Sequence, residues 1–228
     1  MINRQTRRVV TIHDEREAAR HARGRVIVID DDDAVRDALT ALLSLEGYAV
    51  APHTSATSYL EAIRAALPLF SGPQCILLDV KMPDMTGLEL QRRLREMGES
   101  TPIVFMSGGS GAVEAVQALK NGAMDFLIKP FEKESMLTAV SHALKKNHSE
   151  RQHHEQHIGI ARRLDSLSVR ERQIAKMVSS GMLNRDIAAE LGIAIRTVKL
   201  HRMHMMRKTG AANVIELSRL IDKLDENT

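Results

Sequence analysis

The chain has 228 residues, a formal net charge of +3 and 43% hydrophobic residues, so it can bury a core and wholesale disorder is excluded. No apolar run approaches the roughly 18 residues of a membrane span, and residues 1–25 lack the apolar stretch of a signal peptide. The only cysteine, Cys75, cannot form an intrachain disulfide, and together these observations favour a cytoplasmic protein without membrane attachment.

Charge is distributed unevenly along the chain. Residues 1–24 carry a net charge of +3, residues 25–145 carry −5 and residues 146–228 carry +5. An acidic segment suits a bound cation and a basic segment suits a polyanion, although basic surfaces are common in proteins of many kinds. The distribution therefore indicates two parts with different partners.

Residues 25–145 alternate short apolar runs with amphipathic stretches. The runs predict buried strands at Arg25–Ile29, Tyr48–Ala51, Cys75–Leu78, Ile103–Met106 and Phe126–Ile128. Helical spacing, with capping residues such as Ser55 and Gly47, predicts helices at 35–46, 55–66, 88–97, 112–121 and 132–145. Strands alternating with helices in this way predict a doubly wound α/β domain, with a five-stranded parallel sheet covered on both faces.

The rest of the chain has no strand pattern. Residues 146–164 are polar and rich in His and Gln, which predicts a linker that is either irregular or a continuation of the preceding helix. Four helices are predicted beyond it, at 168–180, 184–191, 195–209 and 213–224. Ser168 and Glu171 have the spacing of a capping box at the start of the first. We expect a small all-α domain over 165–228 and a flexible tail over 1–24.

Polar side chains close four of the predicted strands. They are Asp30 with Asp31, Asp79, Ser107 and Lys129. Because ligands bind beyond the carboxyl ends of parallel strands, we expect these residues to share one site. Converging carboxylates need a cation, and hard oxygen ligands suit Mg²⁺. A carboxylate nucleophile, a magnesium ion, an ammonium and a hydroxyl together form a phosphoryl-transfer site.

The same residues stand in the motifs of a known family. Residues 25–145 resemble a receiver domain, which has a flavodoxin-like fold. The matching elements are Asp30-Asp31, Asp79 with the segment 82–87 that follows it, Ser107, and Lys129-Pro130-Phe131. The resemblance implies that Asp79 accepts a phosphoryl group from a partner sensor histidine kinase.

The resemblance also implies a role for each neighbour of Asp79. Asp31, Asp79 and the main-chain carbonyl of Lys81 would bind Mg²⁺ directly, and Asp30 would act mainly through water. Lys129 would bind a phosphoryl oxygen. Ser107 would swing toward the phosphoryl group, and Phe126 would follow it inward as the second part of a switch.

Each element has a purely structural interpretation when taken alone. An Asp run after a strand is usually a solvated loop and helix cap, and we expect Asp32 and Asp33 to cap the first helix. Lys129-Pro130 alone would be a turn, and Phe126 alone a core residue. The coincidence of four strand ends favours the phosphoryl site.

An enzyme is the alternative for this domain. Phosphatases of the haloacid dehalogenase type also use an Asp nucleophile after a strand, with a second Asp two positions on as general acid. Lys81 occupies that position here, and no substrate-capping insertion is evident. We therefore expect no enzymatic activity beyond self-phosphorylation and self-dephosphorylation.

Residues 165–228 resemble the LuxR/NarL-type helix-turn-helix. The resemblance lies in residues 167–172, 184–188, 191–193 and 196–202. The whole chain thus resembles two-component response regulators of the FixJ type. This resemblance implies a transcription regulator that binds duplex promoter DNA and RNA polymerase and forms a homodimer when phosphorylated.

The helix predicted at 195–209 is the expected DNA-reading element. Val198 and Met205 share its apolar face, with His201 at the margin, and the opposite face is basic. The residues expected to contact DNA are Arg196, Thr197, Lys199, Leu200, Arg202, Met203 and Lys208. An ordinary surface helix would also carry solvated charges, but the short preceding helix and the Gly192 turn favour DNA binding.

Three residues depart from the family pattern in this helix. Ala194 stands where Ser or Thr usually caps the helix, which would cost about 1 kcal/mol. Ile195 replaces a residue that is commonly charged, and Thr209 replaces a Leu. These departures bear on where the helix begins and on domain stability rather than on the fold.

Two further questions stay open. The alternative to a phosphorylation-dependent regulator is a phosphorylation-independent DNA-binding protein whose receiver is only an interaction module. His153 and His157 have a spacing that can bind a metal on a helix, but a solvated linker is the favoured interpretation.

Overall fold

The computed structural model describes residues 23–65, 70, 72–109 and 111–225, with side chains up to residue 223. The tail expected over residues 1–24 lies outside the described residues, apart from Arg23 and Gly24. The chain divides into two compact units, one ending at Arg151 and one beginning at Gln152. The two units are described separately below.

The first unit is built on a parallel sheet. Its strands are β1 (Arg25–Ile29), β2 (Ala49–His53), β3 (Gln74–Asp79), β4 (Ile103–Ser107) and β5 (Asp125–Ile128). The strand order is β2-β1-β3-β4-β5, and every pairing is parallel. The expected doubly wound, flavodoxin-like α/β fold is confirmed. Since β3 is central, Asp79 at its end lies in the middle of the carboxyl edge.

Helices cover both faces of this sheet. They are α1 (Asp33–Leu45), α2 (Ala56–Arg64), α3 (Gly87–Glu96), α4 (Ala112–Lys120) and α5 (Lys133–Asp165). Successive strand residues point to opposite faces, so Val26 and Val28 pack with residues of α1 and α5. Ile27 and Ile29 pack with residues of α2 and α3 on the other face.

Local capping explains where several helices begin. The Asp32 carboxylate accepts hydrogen bonds from the backbone N–H groups of Ala34 and Val35, as expected for a cap of α1. Asp33 instead lies inside the first turn and pairs with Arg36. The Ser55 hydroxyl caps α2 as expected, and Thr86 caps α3 in the same way.

Helix α5 extends well beyond residue 145. Its residues 146–164 are helical, so of the two possibilities for this segment the structure shows the continuation. The side chain of Asn147 is buried, and its Oδ1 accepts a hydrogen bond of 2.9 Å from the Gln74 N–H at the start of β3. Contacts with the sheet therefore continue to residue 147.

The second unit is entirely helical among its described residues. It contains the end of α5, followed by α6 (Val169–Ser179), α7 (Asn184–Leu191), α8 (Ile195–Thr209) and α9 (Val214–Asp225). One apolar core joins these helices, and its fully buried members include Ile174, Ile187, Val198, Met205 and Leu217. The predicted four helices are present, and Ile160 and Leu164 of α5 pack on the same core.

The turns of the second unit follow from the sequence. Ser168 and Glu171 form the expected capping box at the start of α6. Gly192 and Gly210 end α7 and α8 with φ angles of 62° and 72°, a left-handed conformation that favours glycine. Among the described residues, no helix has both the length and the apolar character needed to cross a bilayer.

Candidate functional site

The carboxyl edge of the sheet gathers the polar residues that close its strands. Asp79 and Ser107 are the last residues of β3 and β4, and Asp30 and Lys129 directly follow β1 and β5. Asp30, Asp79 and Ser107 are buried. Parallel strands end at one edge, so residues 99 positions apart in the chain, Asp30 and Lys129, are in contact.

Lys129 bridges the two carboxylates. Its Nζ lies 2.7 Å from Asp30 Oδ2 and 2.7 Å from Asp79 Oδ1. The backbone N–H of Lys129 donates a 2.7 Å hydrogen bond to the Ser107 carbonyl, which holds the lysine beside the end of β4. One ammonium thus offsets two neighbouring negative charges.

Burial and pairing shift the acid–base properties of this bridge. Burial raises the pKa of Asp79, and this effect outweighs the hydrogen bonds from Lys129 and from the Lys81 N–H, which lower it. Burial alone would lower the pKa of Lys129, but its hydrogen bonds to Asp30 and Asp79 outweigh burial and raise it. Lys129 therefore stays a cation, and Asp79 is a more basic carboxylate than usual.

The remaining predicted metal ligands lie less close together. Asp31 is exposed, and no group of three or more His, Cys, Asp or Glu side chains in the described part of the chain could hold a metal ion. The Lys81 N–H donates a 2.6 Å hydrogen bond to Asp79 Oδ2, which places the Lys81 backbone beside the Asp79 carboxylate. Asp30 and Asp79 do converge, on the Lys129 ammonium, and carboxylate oxygens are the kind of ligand that Mg²⁺ prefers. The direct role assigned to Asp31 stays a prediction.

The two predicted switch residues face a common space beside Gly111, which precedes α4. A Cβ atom added at Gly111 would lie 3.4 Å from Phe126 Cζ and 3.5 Å from Ser107 Oγ. Phe126 is half-buried, and its ring centroid is 6.2 Å from that of the core residue Phe105. The site and the start of α4 are therefore connected through these side chains.

The loop after Asp79 is held by contacts that sequence reasoning missed. The Asp84 carboxylate accepts hydrogen bonds of 2.9 and 2.8 Å from the N–H and the hydroxyl of Thr57 at the start of α2. A Cβ atom at Gly87 would lie 2.3 Å from the Asp79 carbonyl oxygen, so only glycine fits there without displacing the backbone of Asp79.

Helix α8 presents a mixed surface. Val198 and Met205 are fully buried, as expected for its apolar face. The predicted DNA-contacting residues at the surface are Arg196, Lys199, Leu200, Met203 and Lys208, and those that are half-buried are Thr197 and Arg202. Two of the cations have partners inside the unit.

These two partners lie on neighbouring helices. Arg202 donates a 2.7 Å hydrogen bond to Asn184 Oδ1 at the start of α7. Lys208 Nζ lies 2.6 Å from Glu171 Oε2. Lys208 is therefore engaged by the protein itself, whereas Arg196 and Lys199 have no ion pair among the described side chains.

Glu171 links the start of α6 to the last turns of α8. It is 3% exposed, and the hydrogen bonds from Lys208 and from the Ser168 backbone N–H lower its pKa to about 2. The Nδ1 atom of His204 lies 3.9 Å from Glu171 Oε1. This ionised carboxylate fixes the end of α8 against α6.

The departures noted in α8 have visible consequences. Ala194 provides no side-chain cap, and Ile195 is exposed. Thr209 is fully buried, but its hydroxyl donates a 2.8 Å hydrogen bond to the Met205 carbonyl. The buried hydroxyl is therefore satisfied without the Leu that is usual here.

A parallel sheet with an acid–lysine cluster at its carboxyl edge, in a chain that also carries a helix-turn-helix unit, defines the class of DNA-binding response regulators. Two family models match the chain. The response regulator receiver domain matches residues 26–141, and the bacterial regulatory proteins of the luxR family match residues 165–221. Receiver domains typically bind Mg²⁺ at the phosphorylation site.

Several named proteins are similar over most of the chain. The response regulator protein TmoT of Ectopseudomonas mendocina is 40% identical over 202 residues, covering 89% of this chain and 90% of TmoT. The transcriptional regulatory protein FixJ of Azorhizobium caulinodans is 40% identical over 195 residues, covering 86% of this chain and 90% of FixJ. A solved structure of the response regulator StyR is 36% identical with a TM-score of 0.81, covering 89% of this chain and all of that one.

The chain belongs to the two-component response regulators that combine a receiver domain with a LuxR-type DNA-binding domain. The resemblance inferred from the strand-end motifs and from residues 165–228 is thereby confirmed. Proteins of this class are generally transcription factors rather than enzymes.

The pairing of the buried Glu171 carboxylate with Lys208 predicts a specific loss of stability in acid. A carboxyl group whose pKa is lowered in the folded state stabilises the fold at pH values above the pKa that it has in the unfolded chain. This contribution is lost as the pH falls through the pKa of the folded state. For Glu171 the loss falls between pH 4.5 and about 2. One pKa unit corresponds to about 1.4 kcal/mol, so the loss in the free energy of unfolding of the second unit should be at most roughly 3 kcal/mol, and smaller because solvent screens the partly exposed Lys208.

Urea unfolding of the full chain across this pH window, with hydrogen exchange of the α8 amides, measures the effect. Glu171→Gln should abolish the pH-dependent part, whereas Glu190→Gln, an exposed carboxyl on α7, should preserve it. An unchanged pH dependence in Glu171→Gln would contradict the role given to this pair.

Proposed function

We propose that phosphorylation of Asp79 by a sensor histidine kinase controls both pairing of the chain and its binding to promoter DNA. The observation that carries the proposal is the Lys129 ammonium, held 2.7 Å from both Asp30 and Asp79 at the carboxyl edge. We propose domain limits of 25–145 for the receiver, 146–164 for the linker and 165–228 for the DNA-binding domain.

The acceptor chemistry follows from the position of Asp79 beside Lys129 at the carboxyl edge. One carboxylate oxygen of Asp79 attacks the phosphorus of a phosphohistidine, the P–N bond breaks, and the imidazole of the kinase leaves. Lys129 is already beside this oxygen and binds an oxygen of the transferred group, and Ser107 donates a hydrogen bond to another. Asp31, Asp79 and the Lys81 carbonyl would hold Mg²⁺ directly, with Asp30 acting mainly through water, and the bound ion would offset the negative charge of the phosphoryl oxygens.

The signal leaves the site through Ser107 and Phe126. Both side chains lie beside Gly111, so a movement of Ser107 toward a phosphoryl group opens space into which Phe126 can turn. Gly111 directly precedes α4, and the exposed surface of that helix changes with it. The proposed switch thus connects Asp79 to α4 through packing alone.

Pairing of two receivers would cover an apolar surface of α4 and β5. Four large apolar side chains are exposed there, namely Val113 (77%), Val116 (53%), Leu119 (48%) and Ile128 (56%). The small residues Ala112 and Ala115 lie on the same helix. An isolated soluble domain rarely exposes so much contiguous apolar surface, which supports a phosphorylation-dependent homodimer.

DNA binding is assigned to the surface of α8. Arg196 and Lys199 are cations without an ion pair among the described side chains, and they suit phosphates or guanine edges. Leu200 and Met203 are exposed apolar residues that suit thymine methyl groups. Thr197, Arg202 and Lys208 complete the proposed surface, although Lys208 must leave Glu171 to reach a phosphate. We also propose a cytoplasmic location, with RNA polymerase as a further partner.

The acceptor role of Asp79 predicts covalent labelling. The full chain incubated with a small acyl phosphate and Mg²⁺ should gain one phosphoryl group by intact mass, because Asp79 is the carboxylate that lies beside Lys129 at the end of β3. Asp79→Asn should gain none, and Asp125→Asn, an exposed acid on β5, should label like the parent. Equal labelling of Asp79→Asn would remove Asp79 from this role.

DNA-binding measurements on the same proteins distinguish a phosphorylation-dependent regulator from a phosphorylation-independent one. If phosphorylation controls DNA binding, the acyl phosphate should raise the DNA affinity of the parent and leave that of Asp79→Asn unchanged. The Lys129→Ala variant should not show this increase in DNA affinity, even where it carries the phosphoryl group. An equal affinity of parent and Asp79→Asn under all conditions would favour the phosphorylation-independent regulator.

Pairing through α4 predicts a phosphate-dependent change in mass. The full chain should sediment as a dimer with a phosphate mimic and as a monomer without it. In the dimer, the apolar face of α4 is covered by the second receiver. Val116→Glu should remain a monomer in both samples, since it would bury a charge in the interface. Leu45→Glu, at an even more exposed apolar residue of α1, should still dimerise, and a dimer formed by Val116→Glu would refute pairing through α4.

The different environments of Lys199 and Lys208 predict different salt dependences. Each phosphate contact that is lost should reduce the slope of log affinity against log salt by about 0.9. Lys199→Ala should show this reduction with little effect on stability. Lys208→Ala should change the slope less and lower the melting temperature, because its ammonium is paired with Glu171. Salt titrations beside thermal melts measure both, and identical slopes for the two variants would contradict the assignment.

A further inference from the structure

The segment between β3 and α3, residues 80–86, starts at Asp79 and returns to it, and we call it the acceptor loop. The Gly87 N–H donates a 2.9 Å hydrogen bond to the Val80 carbonyl, which closes the loop at its base. Inside the closed loop, the Lys81 N–H donates a 2.6 Å hydrogen bond to Asp79 Oδ2. The placement of the Lys81 peptide beside the carboxylate therefore depends on what holds the rest of the loop.

Apolar packing holds the inner side of the acceptor loop. Val80 and Met82 are 2% and 7% exposed, and they belong to the same core cluster as Tyr59 and Leu60 of α2. Hydrophobic contacts keep this side of the loop in the core, but they are non-directional. They do not by themselves decide which way a backbone N–H or carbonyl of the loop points.

A single carboxylate holds the outer side of the loop. Asp84 Oδ2 accepts hydrogen bonds of 2.9 Å from the Thr57 N–H and 2.8 Å from the Thr57 hydroxyl. Thr57 lies in the first turn of α2, where backbone N–H groups have no partner within the helix and where the helix dipole favours a negative charge. The Ser55 hydroxyl accepts the N–H of Ser58 in the same turn, and Asp84 supplies the acceptor for Thr57. Unlike the apolar contacts, these bonds are directional.

The pairing of Asp84 with Thr57 restrains the loop more than it stabilises the whole unit. Both residues are exposed, and hydrogen bonds at the surface compete with water, so their contribution to global stability is modest. Burial raises the pKa of Asp84, but hydrogen bonds from Thr57 and from the backbone of residues 84 and 85 outweigh it and lower that pKa. Asp84 is therefore a carboxylate at neutral pH, able to accept both bonds.

We propose that Asp84 is a positioning residue for phosphoryl transfer, whose hydrogen bonds to Thr57 hold the Lys81 peptide against Asp79 before any ligand binds. The Lys81 carbonyl is expected to bind Mg²⁺, and a loop that is already ordered loses less conformational entropy when the ion arrives. Asp84 thus acts on the ion through the loop rather than as a ligand. The effect on phosphorylation rests on the proposed role of Asp79, whereas the restraint on Lys81 does not.

Hydrogen exchange of the Lys81 amide, followed by NMR in the full chain without Mg²⁺, tests this restraint. Asp84→Ala removes the acceptor of both Thr57 bonds and should speed the exchange roughly tenfold. Asp84→Asn retains an oxygen that can accept both bonds and should exchange like the parent. Asp37→Ala removes an exposed acid of α1 and should also exchange like the parent. Unchanged exchange in Asp84→Ala, or equally fast exchange in Asp37→Ala, would overturn the proposal.

Thr57 variants show whether Asp84 acts through this partner. Thr57→Val removes the hydroxyl but keeps the N–H bond, so it should speed Lys81 exchange less than Asp84→Ala does. Added to Asp84→Ala, it should cause no further increase, because the pairing is already lost, and fully additive effects would overturn the proposal. We expect melting temperatures close to that of the parent. Should that of Asp84→Ala fall, the milder Thr57→Val decides, since unchanged Lys81 exchange in it would overturn the proposal.

Labelling by a small acyl phosphate measures the consequence for the phosphoryl site. Asp84→Ala should need roughly fivefold more Mg²⁺ for half-maximal labelling of Asp79, because the ion must then order the loop itself. At saturating Mg²⁺ its labelling rate should stay within about twofold of the parent rate. A slower rate at saturation with an unchanged half-saturating concentration would overturn the positioning role. Absence of labelling in the parent would instead refute the acceptor role of Asp79, while Lys81 exchange would still decide the role of Asp84.

Discussion

The interaction on which the first unit depends is the bridge from Lys129 to Asp30 and Asp79. Two carboxylates buried side by side repel each other, and burial of an unpaired charge costs several kcal/mol. Lys129 follows β5, which is separated from β3 by β4, so its ammonium must cross the end of an intervening strand. A long, flexible lysine stem makes this reach possible, and the small side chain of Ser107 at the end of β4 leaves room for it.

The second unit uses the same pairing for a different purpose. Glu171 is a buried carboxylate paired with a remote lysine, as Asp79 is. The Asp79 pair lies at the edge of a sheet, where a ligand can approach and compete for the lysine. The Glu171 pair lies between two helices and joins the cap of α6 to the last turns of α8. Similar electrostatics therefore support a reactive site in one unit and a rigid scaffold in the other.

Much of this architecture could be predicted from local sequence. Strand ends, the caps Asp32 and Ser55, and the capping box of Ser168 and Glu171 are encoded within a few residues. The proximity of Asp30, Asp79 and Lys129 could also be predicted, because the topology rule for parallel sheets brings distant strand ends to one edge. Sequence patterns therefore predict structure where a residue periodicity or a topology rule determines where those residues lie in the fold.

Other features have no local pattern. Residues 146–164 are strongly polar, so hydrophobic spacing could not reveal that α5 continues through them. The partners of Lys208 and Asp84 lie 37 and 27 positions away, and side-chain pairings of that kind depend on how distant elements pack together. The exposed position of Asp31 beside a buried Asp30 is likewise a detail of one turn, which the acidic run alone does not define.

The strand order β2-β1-β3-β4-β5 also has a consequence for how the chain folds. β1 lies between β2 and β3, so the strand synthesised first cannot gain its second neighbour until Gln74–Asp79 has left the ribosome. Contacts of such high sequence separation are slow to form, because loop-closure entropy is lost before the pairing compensates for it. The second unit is helical with no strand among its described residues, and helical domains generally have lower contact order and fold faster than domains built on parallel sheets. The slow step of maturation therefore belongs to the part of the protein that emerges first.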